Sequence, residues 1–198
     1  EVFLADSDYS EVTSINVGKN PTNLLLSADG KYVYVSCSDG DRIDIIDLEA
    51  KALADTIYLD EGTVNLTTSP FGMALSPDGK RMYVAAVISN AIYVIDLEKK
   101  EIIGGIPTSW YPVDVEISQD GKKLFWLSGK GEGSGPNADY EEIEKMMTGT
   151  VGILDVPSDE ELKTNFETIE KNFNRPNEFY GFDYGVDCKP PGDVLSRN

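Results

Sequence analysis

Apolar residues run along this chain in short, strand-length bursts rather than at helical spacing. The runs 32–37, 43–48, 82–88 and 92–97 are β-branched and aromatic, and Asp-Gly and Asn turns interrupt them, which is the pattern of antiparallel strands. The period changes once. After Pro157, the residues Leu162, Phe166, Ile169 and Phe173 recur at three- and four-residue steps behind Ser158 and an acidic first turn. That predicts a helix over 158–174 with Ser158 as its N-cap. The remaining 175–198 segment is rich in Pro, Gly, Asn, Asp and aromatics without period, and reads as a linker or an ordered wrap.

One phrase occurs three times: Pro21-Thr-Asn-Leu-Leu-Leu-Ser-Ala-Asp-Gly30, Pro70-Phe-Gly-Met-Ala-Leu-Ser-Pro-Asp-Gly79 and Pro112-Val-Asp-Val-Glu-Ile-Ser-Gln-Asp-Gly121. The copies lie 49 and 42 residues apart, in the range where an all-β repeat signifies four-stranded propeller blades. In each unit, strand a is the segment Leu24–Ser27, Gly72–Ser76 or Val113–Ser118, and a hairpin turn with Gly at positive φ follows. Strand b covers 31–37, 80–87 or 122–128. Strand c ends in a second repeated phrase, Ile43-Asp-Ile-Ile-Asp47, Ile92-Tyr-Val-Ile-Asp96 and Val151-Gly-Ile-Leu-Asp155, and strand d lies at 51–59 and 99–106. Val2-Phe-Leu-Ala-Asp6 and 12–17 read as strands c and d of an earlier unit.

The expected fold is therefore all-β, a partial β-propeller of about three four-stranded blades with half blades at the ends, followed by one C-terminal helix and an irregular tail. Its divisions are a half blade at 1–18, blades at 19–60 and 70–107, and a partial blade at 112–157 with an insertion at 129–148. A closed ring needs about four to eight blades. The expectation is a fragment, or a chain completing its ring with another copy or another chain, because uncovered end faces would expose apolar strands.

The departures from the period fall on one side. From the phrase's Pro to the strand-c Asp is 26 residues in the first two units and 43 in the third, and the link at 60–69 is about seven residues longer than its counterparts. In an up-and-down blade the b–c and d–a connections share one face, so both insertions decorate it. Variable loops on a repeated scaffold are where binding usually resides. The candidate surface comprises Thr63–Ser69, Ser89–Asn90, Ser109–Tyr111 and Gly129–Gly149.

Charge and residue usage narrow the chemistry. Among 198 residues, 35 are acidic and 17 basic, a formal charge of −18, which repels nucleic acid and anionic lipid surfaces. No run approaches the roughly 18 apolar residues of a membrane span. Histidine is absent, which removes imidazole bases and His-ligated metals. Cys37 and Cys188 are too few for a disulfide framework; they are either bridged to each other or two unpaired thiols. No cofactor or metal is expected.

The repeated phrases resemble the YVTN-repeat β-propeller family, on Pro…Ser-x-Asp-Gly-Lys, Ile-Asp-Leu and strand b as Tyr32-Val-Tyr-Val-Ser, Met82-Tyr-Val-Ala and Leu124-Phe-Trp-Leu-Ser; the family's Thr-Asn pair is not kept. More narrowly, Trp110-Tyr-Pro112, Ser128–Asn137, Met147-Thr-Gly-Thr-Val151 and Asp155-Val-Pro157 with its helix look like the end of a propeller preceding a metal-dependent phosphoesterase domain of the alkaline-phosphatase superfamily. This second resemblance covers about residues 110–173. It implies an extracytoplasmic address and a catalytic domain outside this chain, so no catalytic or metal-binding residue carries over.

The ligand-face candidates are Trp110, Tyr111, Lys130, Ser134, Asn137, Asn90 and Arg42. Trp110, Tyr111 and Trp126 suggest a platform for a sugar or aromatic group, or else core packing. The Gly129–Gly135 run suggests anion binding, or else a shaped loop, since it lacks the order and context of a P-loop. Asp47, Asp96 and Asp155 are expected to serve hairpin turns. Asp39 and Asp41 form half of a calcium loop without its remaining ligands. Two functions are expected from these residues: a non-catalytic binding or scaffolding module, with a carbohydrate or small molecule as the candidate ligand, or the accessory propeller of a phosphoesterase.

Overall fold

The computed structural model describes residues 1–59, 68–132, 140 and 142–173. Its strands form four antiparallel sheets in chain order. The first contains β1 (Val2–Ala5) and β2 (Val12–Ile15). The second contains β3 (Pro21–Leu26), β4 (Tyr32–Cys37), β5 (Arg42–Asp47) and β6 (Ala52–Tyr58). The third contains β7 (Pro70–Leu75), β8 (Arg81–Ala86), β9 (Ala91–Asp96) and β10 (Glu101–Pro107). The fourth contains β11 (Trp110–Ile117), β12 (Lys123–Gly131) and β13 (Thr150–Asp155), with the short helix α1 (Ile143–Met146) between its last two strands. Helix α2 (Asp159–Phe173) follows. The first strands β3, β7 and β11 lie against one another in succession, a propeller-like arrangement.

The repeated phrase builds one turn three times. Ser27 Oγ donates to Asp29 Oδ1 at 2.7 Å, that oxygen accepts the Lys31 N–H, and the Tyr32 N–H returns to Ser27 Oγ at 2.9 Å. Ser76 and Asp78, then Ser118 and Asp120, repeat the set. Gly30, Gly79 and Gly121 all sit near φ +70°, where a side chain would be strained. The Ser hydroxyls and, secondarily, the Lys amides hold Asp29, Asp78 and Asp120 below the usual carboxylate range.

The first strands start earlier than expected: β3 and β7 begin at the phrase's Pro, three and two residues sooner, and β11 begins at Trp110, three residues before Val113. Proline lacks only a donor, which costs nothing at the first residue of a strand, and the ladder bulges immediately afterwards in all three copies. A second correction concerns the Gly-rich run: Gly129–Gly131 extend β12, with Gly131 opposite Trp110. The fourth sheet thus begins at Trp110, not Pro112. Turn duty is met by Asp47, which accepts the Glu49 and Ala50 amides, and by Asp96, which accepts those of Glu98 and Lys99. Asp155 differs. It pairs with Lys123 at 2.7 Å, and a helix replaces the fourth strand.

Ser158 caps α2 as expected, in a reciprocal box: Glu161 Oε2 accepts the Ser158 N–H at 2.8 Å, and the Glu161 N–H reaches Ser158 Oγ. The helix lies along the outer strand β10. A β-carbon on Gly104 would stand 2.6 Å from Leu162 Cβ, and one on Gly105 2.8 Å from Ile169 Cδ1. Two adjacent glycines therefore let the helix rest on strand backbone. Leu162 and Ile169 are buried there, Phe166 meets Tyr93 edge-on at 5.4 Å, and Arg81 pairs with Asp159 at 2.7 Å. The unpaired side of β10 is covered, which removes an exposed edge.

The core occupies the gaps between sheets. Tyr34, Ile43, Ile45 and Ile57 of the second sheet pack against Met73, Met82, Val84 and Ile95 of the third. Tyr83, Ala85, Ile92 and Val94 of the third pack against Val115 and Leu124 of the fourth, with Leu162. Val2, Leu4 and Ile15 of the first cover Val35, Cys37 and Ile46 of the second.

Candidate functional site

Among the described residues, the b–c and d–a connections of the second and third sheets meet; much of the two insertions expected beside them, residues 60–67, 133–139 and 141, lies outside the described residues. The chain before each Pro bonds the chain after the next strand: Ser38 and Asp39 donate to Asn20 and Lys19 carbonyls, and Val87 and Ile88 to those of Ser69 and Thr68. The residues preceding the three prolines, Asn20, Ser69 and Tyr111, have φ of 53°, 52° and 66°. This left-handed region is strained for a bulky side chain such as Tyr111.

A clip crosses from sheet to sheet on this face. Six residues before the strand-c Asp stand Asp41 and Asn90, both left-handed. Asp41 Oδ1 accepts the Ser69 N–H at 2.9 Å, with the Thr68 N–H and hydroxyl, while its carbonyl accepts Leu59 N–H. Asn90 Oδ1 accepts the Tyr111 N–H at 2.9 Å, and its carbonyl accepts Thr108 N–H. Asn90 is thus engaged in joining the third and fourth sheets. Asp41 does the same between the second and third, in place of a role in a calcium loop. The common six-residue offset was present in the sequence, but Asp and Asn at one position do not advertise a shared acceptor.

The aromatic candidates separate. Tyr111 lies edge-on to Phe71 with ring centroids 6.4 Å apart, and Lys130 Nζ stands 4.5 Å over its ring, a cation–π contact. Trp110 is largely exposed beside them. Trp126 instead packs against the core between the third and fourth sheets, its ring lying over Gly152, where a β-carbon would collide with it. Ser134 and Asn137 lie outside the described residues, as does Cys188.

Arg42 is engaged in a buried network that sequence reasoning missed. Its Nη2 donates to Asp44 Oδ2 at 3.0 Å, and its Nε is in ion-pair contact with Oδ1 at 3.0 Å, though that N–H is not aligned for a hydrogen bond. Asp44 is fully buried and also accepts the Gly18 N–H at 2.7 Å and the Thr56 hydroxyl at 2.9 Å. Burial, and then the Asp44 charge, push the neighbouring Cys37 thiol up. The available signal was a lone carboxylate between Ile43 and Ile45, where the other copies have Tyr93 and Gly152.

The outer face of the fourth sheet carries an open groove of about 240 Å³. Phe125, Leu127 and Val151 line it, with Asp114 and Glu116 in the same wall. Among the described residues no group of three or more His, Cys, Asp or Glu is placed to hold a metal ion, and no helix is long and apolar enough to cross a membrane.

No protein-family model matches the sequence, and no curated protein matches it. Among solved structures, the chain is similar to Kuenenia stuttgartiensis hydrazine synthase, with a TM-score of 0.50 and 22% identity over 59% of this chain and 31% of that one. The match spans about a third of the relative, and at this identity the likeness concerns fold alone. Sheets and comparison together define an all-β, propeller-like chain with a C-terminal helix.

Proposed function

We propose that this chain is a non-catalytic segment of a YVTN-type β-propeller, serving as a binding or scaffolding module within a larger exported protein. The observation that carries this reading is the open outer face of the fourth sheet: Val151 and Ile153 are solvent-exposed at register positions that are buried in the second and third sheets. Burying one such side chain is worth about 1.5–3 kcal/mol, which favours another copy or another chain completing the ring. The loop-bearing face, with Trp110 exposed and Lys130 over Tyr111, offers a surface for a carbohydrate or small molecule. Multi-angle light scattering with an apolar-dye assay tests the reading. Association with concentration, with dye bound by the dilute chain, is expected; a monodisperse monomer that binds no dye contradicts it.

A second reading makes the segment the accessory propeller of a metal-dependent phosphoesterase, favoured by β13 passing through Asp155-Val-Pro157 directly into the capped helix. Both readings place catalysis elsewhere. Phosphodiester or phosphomonoester turnover by this chain alone with zinc or manganese would sink the first.

A further inference from the structure

The fourth sheet departs from the repeat at three places on the face it turns away from the third. Leu25 and Ala74, four residues after their Pro, pack into the core between sheets, whereas the same place in the fourth sheet holds the exposed Glu116. Ser36 and Ala85, opposite Ile43 and Ile92, are fully buried, yet their counterpart opposite Val151 is Leu127, 46% exposed. Where Asp41 and Asn90 accept amides of the following sheet, the fourth sheet has Gly149, which has no side-chain acceptor. A further sheet of this repeat type laid here would bury a carboxylate among apolar residues, meet a leucine where the repeat leaves room, and find no clip. The energy of covering Val151 and Ile153 favours an occupant, and these three residues select its kind.

By register, Glu116, Phe125 and Ile153 form one row across the strands, and Asp114, Leu127 and Val151 the next. The carboxylates thus follow one border along β11, and the apolar side chains fill β12 and β13 beside the groove. Two strands are about 10 Å wide, close to the diameter of one helix. Asp114 and Glu116 are separated by a two-residue strand step of about 6.7 Å, close to the rise of about 6 Å between helix residues four apart. We infer that this face is a docking site for an amphipathic helix of a binding partner, its apolar stripe bordered by lysines or arginines at four-residue spacing. The apolar stripe lies on Phe125, Leu127, Val151 and Ile153, and the cations meet Asp114 and Glu116. The chain's own helix α2 is not the occupant, being seated on β10 and opening on Asp159, Glu160 and Glu161. Two copies of a chain of formal charge −18 can meet through Val151 and Ile153, but they leave both carboxylates uncompensated. The inference rests on the binding-module reading and specifies what this face takes. In helix-in-groove recognition the apolar anchors supply affinity, and charge complementarity supplies specificity and on-rate.

The probe is a labelled helical peptide of about five turns, built from leucine and lysine in that pattern and titrated into the full chain by fluorescence anisotropy, beside the same peptide with glutamine for lysine. The expected result is saturable binding at one peptide per chain, weakened about tenfold for the glutamine peptide. Glu116→Gln, at an exposed position, should weaken the lysine peptide several-fold, and Glu116→Lys should shift preference to a peptide with glutamate for lysine. Val151→Ser with Ile153→Ser should abolish binding. Glu49→Gln with Glu98→Gln, on exposed turns of the second and third sheets, should leave it unchanged. Absence of saturable binding, binding indifferent to Glu116, or equal weakening by the Glu49/Glu98 pair, the sign of general attraction to an acidic chain, would overturn it. A failed titration alongside intact self-association overturns this inference alone, whereas loss of both falls on the binding-module reading as well.

Discussion

In the second sheet Ile43 and Ile45 are 0% and 8% exposed, and in the third Ile92 and Val94 are both 0% exposed; in the fourth, the register-equivalent Val151 and Ile153 are 66% and 61% exposed. The strands are alike in length and apolar character, although β5 and β9 pair on both sides and β13 only with β12. What differs is the next sheet: Met73, Met82 and Val84 cover the second, Val115 and Leu124 cover the third, and no described element covers the fourth. An apolar strand thus specifies a face, and its neighbour decides whether the face becomes core or surface. The same β-branched side chain is a stability determinant in one sheet and an interaction determinant in another.

Substitutions at matched positions sharpen this contrast. Asp44→Ala should cost the most, about 3–5 kcal/mol, because it leaves Arg42 without its buried carboxylate; urea denaturation checks this. Ile43→Ala should cost about 2–5 kcal/mol by the same assay, whereas Val151→Ala in the isolated chain should stay within about 0.5 kcal/mol. Similar losses at both sites would break the comparison. Gly104→Val is expected to cost about 1–3 kcal/mol by overpacking and to undock α2, read as faster exchange of the helix amides with β4 and β5 unaffected.

The smallest effect concerns the exposed turns. Asp29, Asp78 and Asp120 have folded-state carboxyls below their ordinary range. The stability they lend is present above the unfolded value and is lost as pH falls through the folded one. Replacing all three with Asn should lower neutral-pH melting slightly and flatten the acid side of the melting curve below about pH 4, so that the two curves converge in acid. An unchanged acid limb would contradict that account.

Much of the fold was legible because local chemistry repeats. Ser-x-Asp-Gly specifies its turn through its own side chains, strand c of the second and third sheets closes on an Asp that caps the next turn, and Ser158 with Glu161 announces the helix. What escaped depends on partners distant in sequence. The bulge after each Pro, the extension of β12 through Gly131, and the seat at Gly104-Gly105 depend on the partner strands β4, β8 and β12, on Trp110 and on Leu162. The same holds for the site. The meeting of the b–c and d–a connections followed from the up-and-down strand order, but Asn90 and Arg42 proved to be engaged with Tyr111 and Asp44, across a sheet boundary and within a core that local pattern does not reveal.

Sedimentation equilibrium of the chain beside its Val151→Asp/Ile153→Asp variant tests the central claim most directly. The account predicts concentration-dependent association of the unmodified chain and a folded, monomeric variant with an unchanged melting temperature. Equal association of both, or a strictly monomeric unmodified chain, would contradict it.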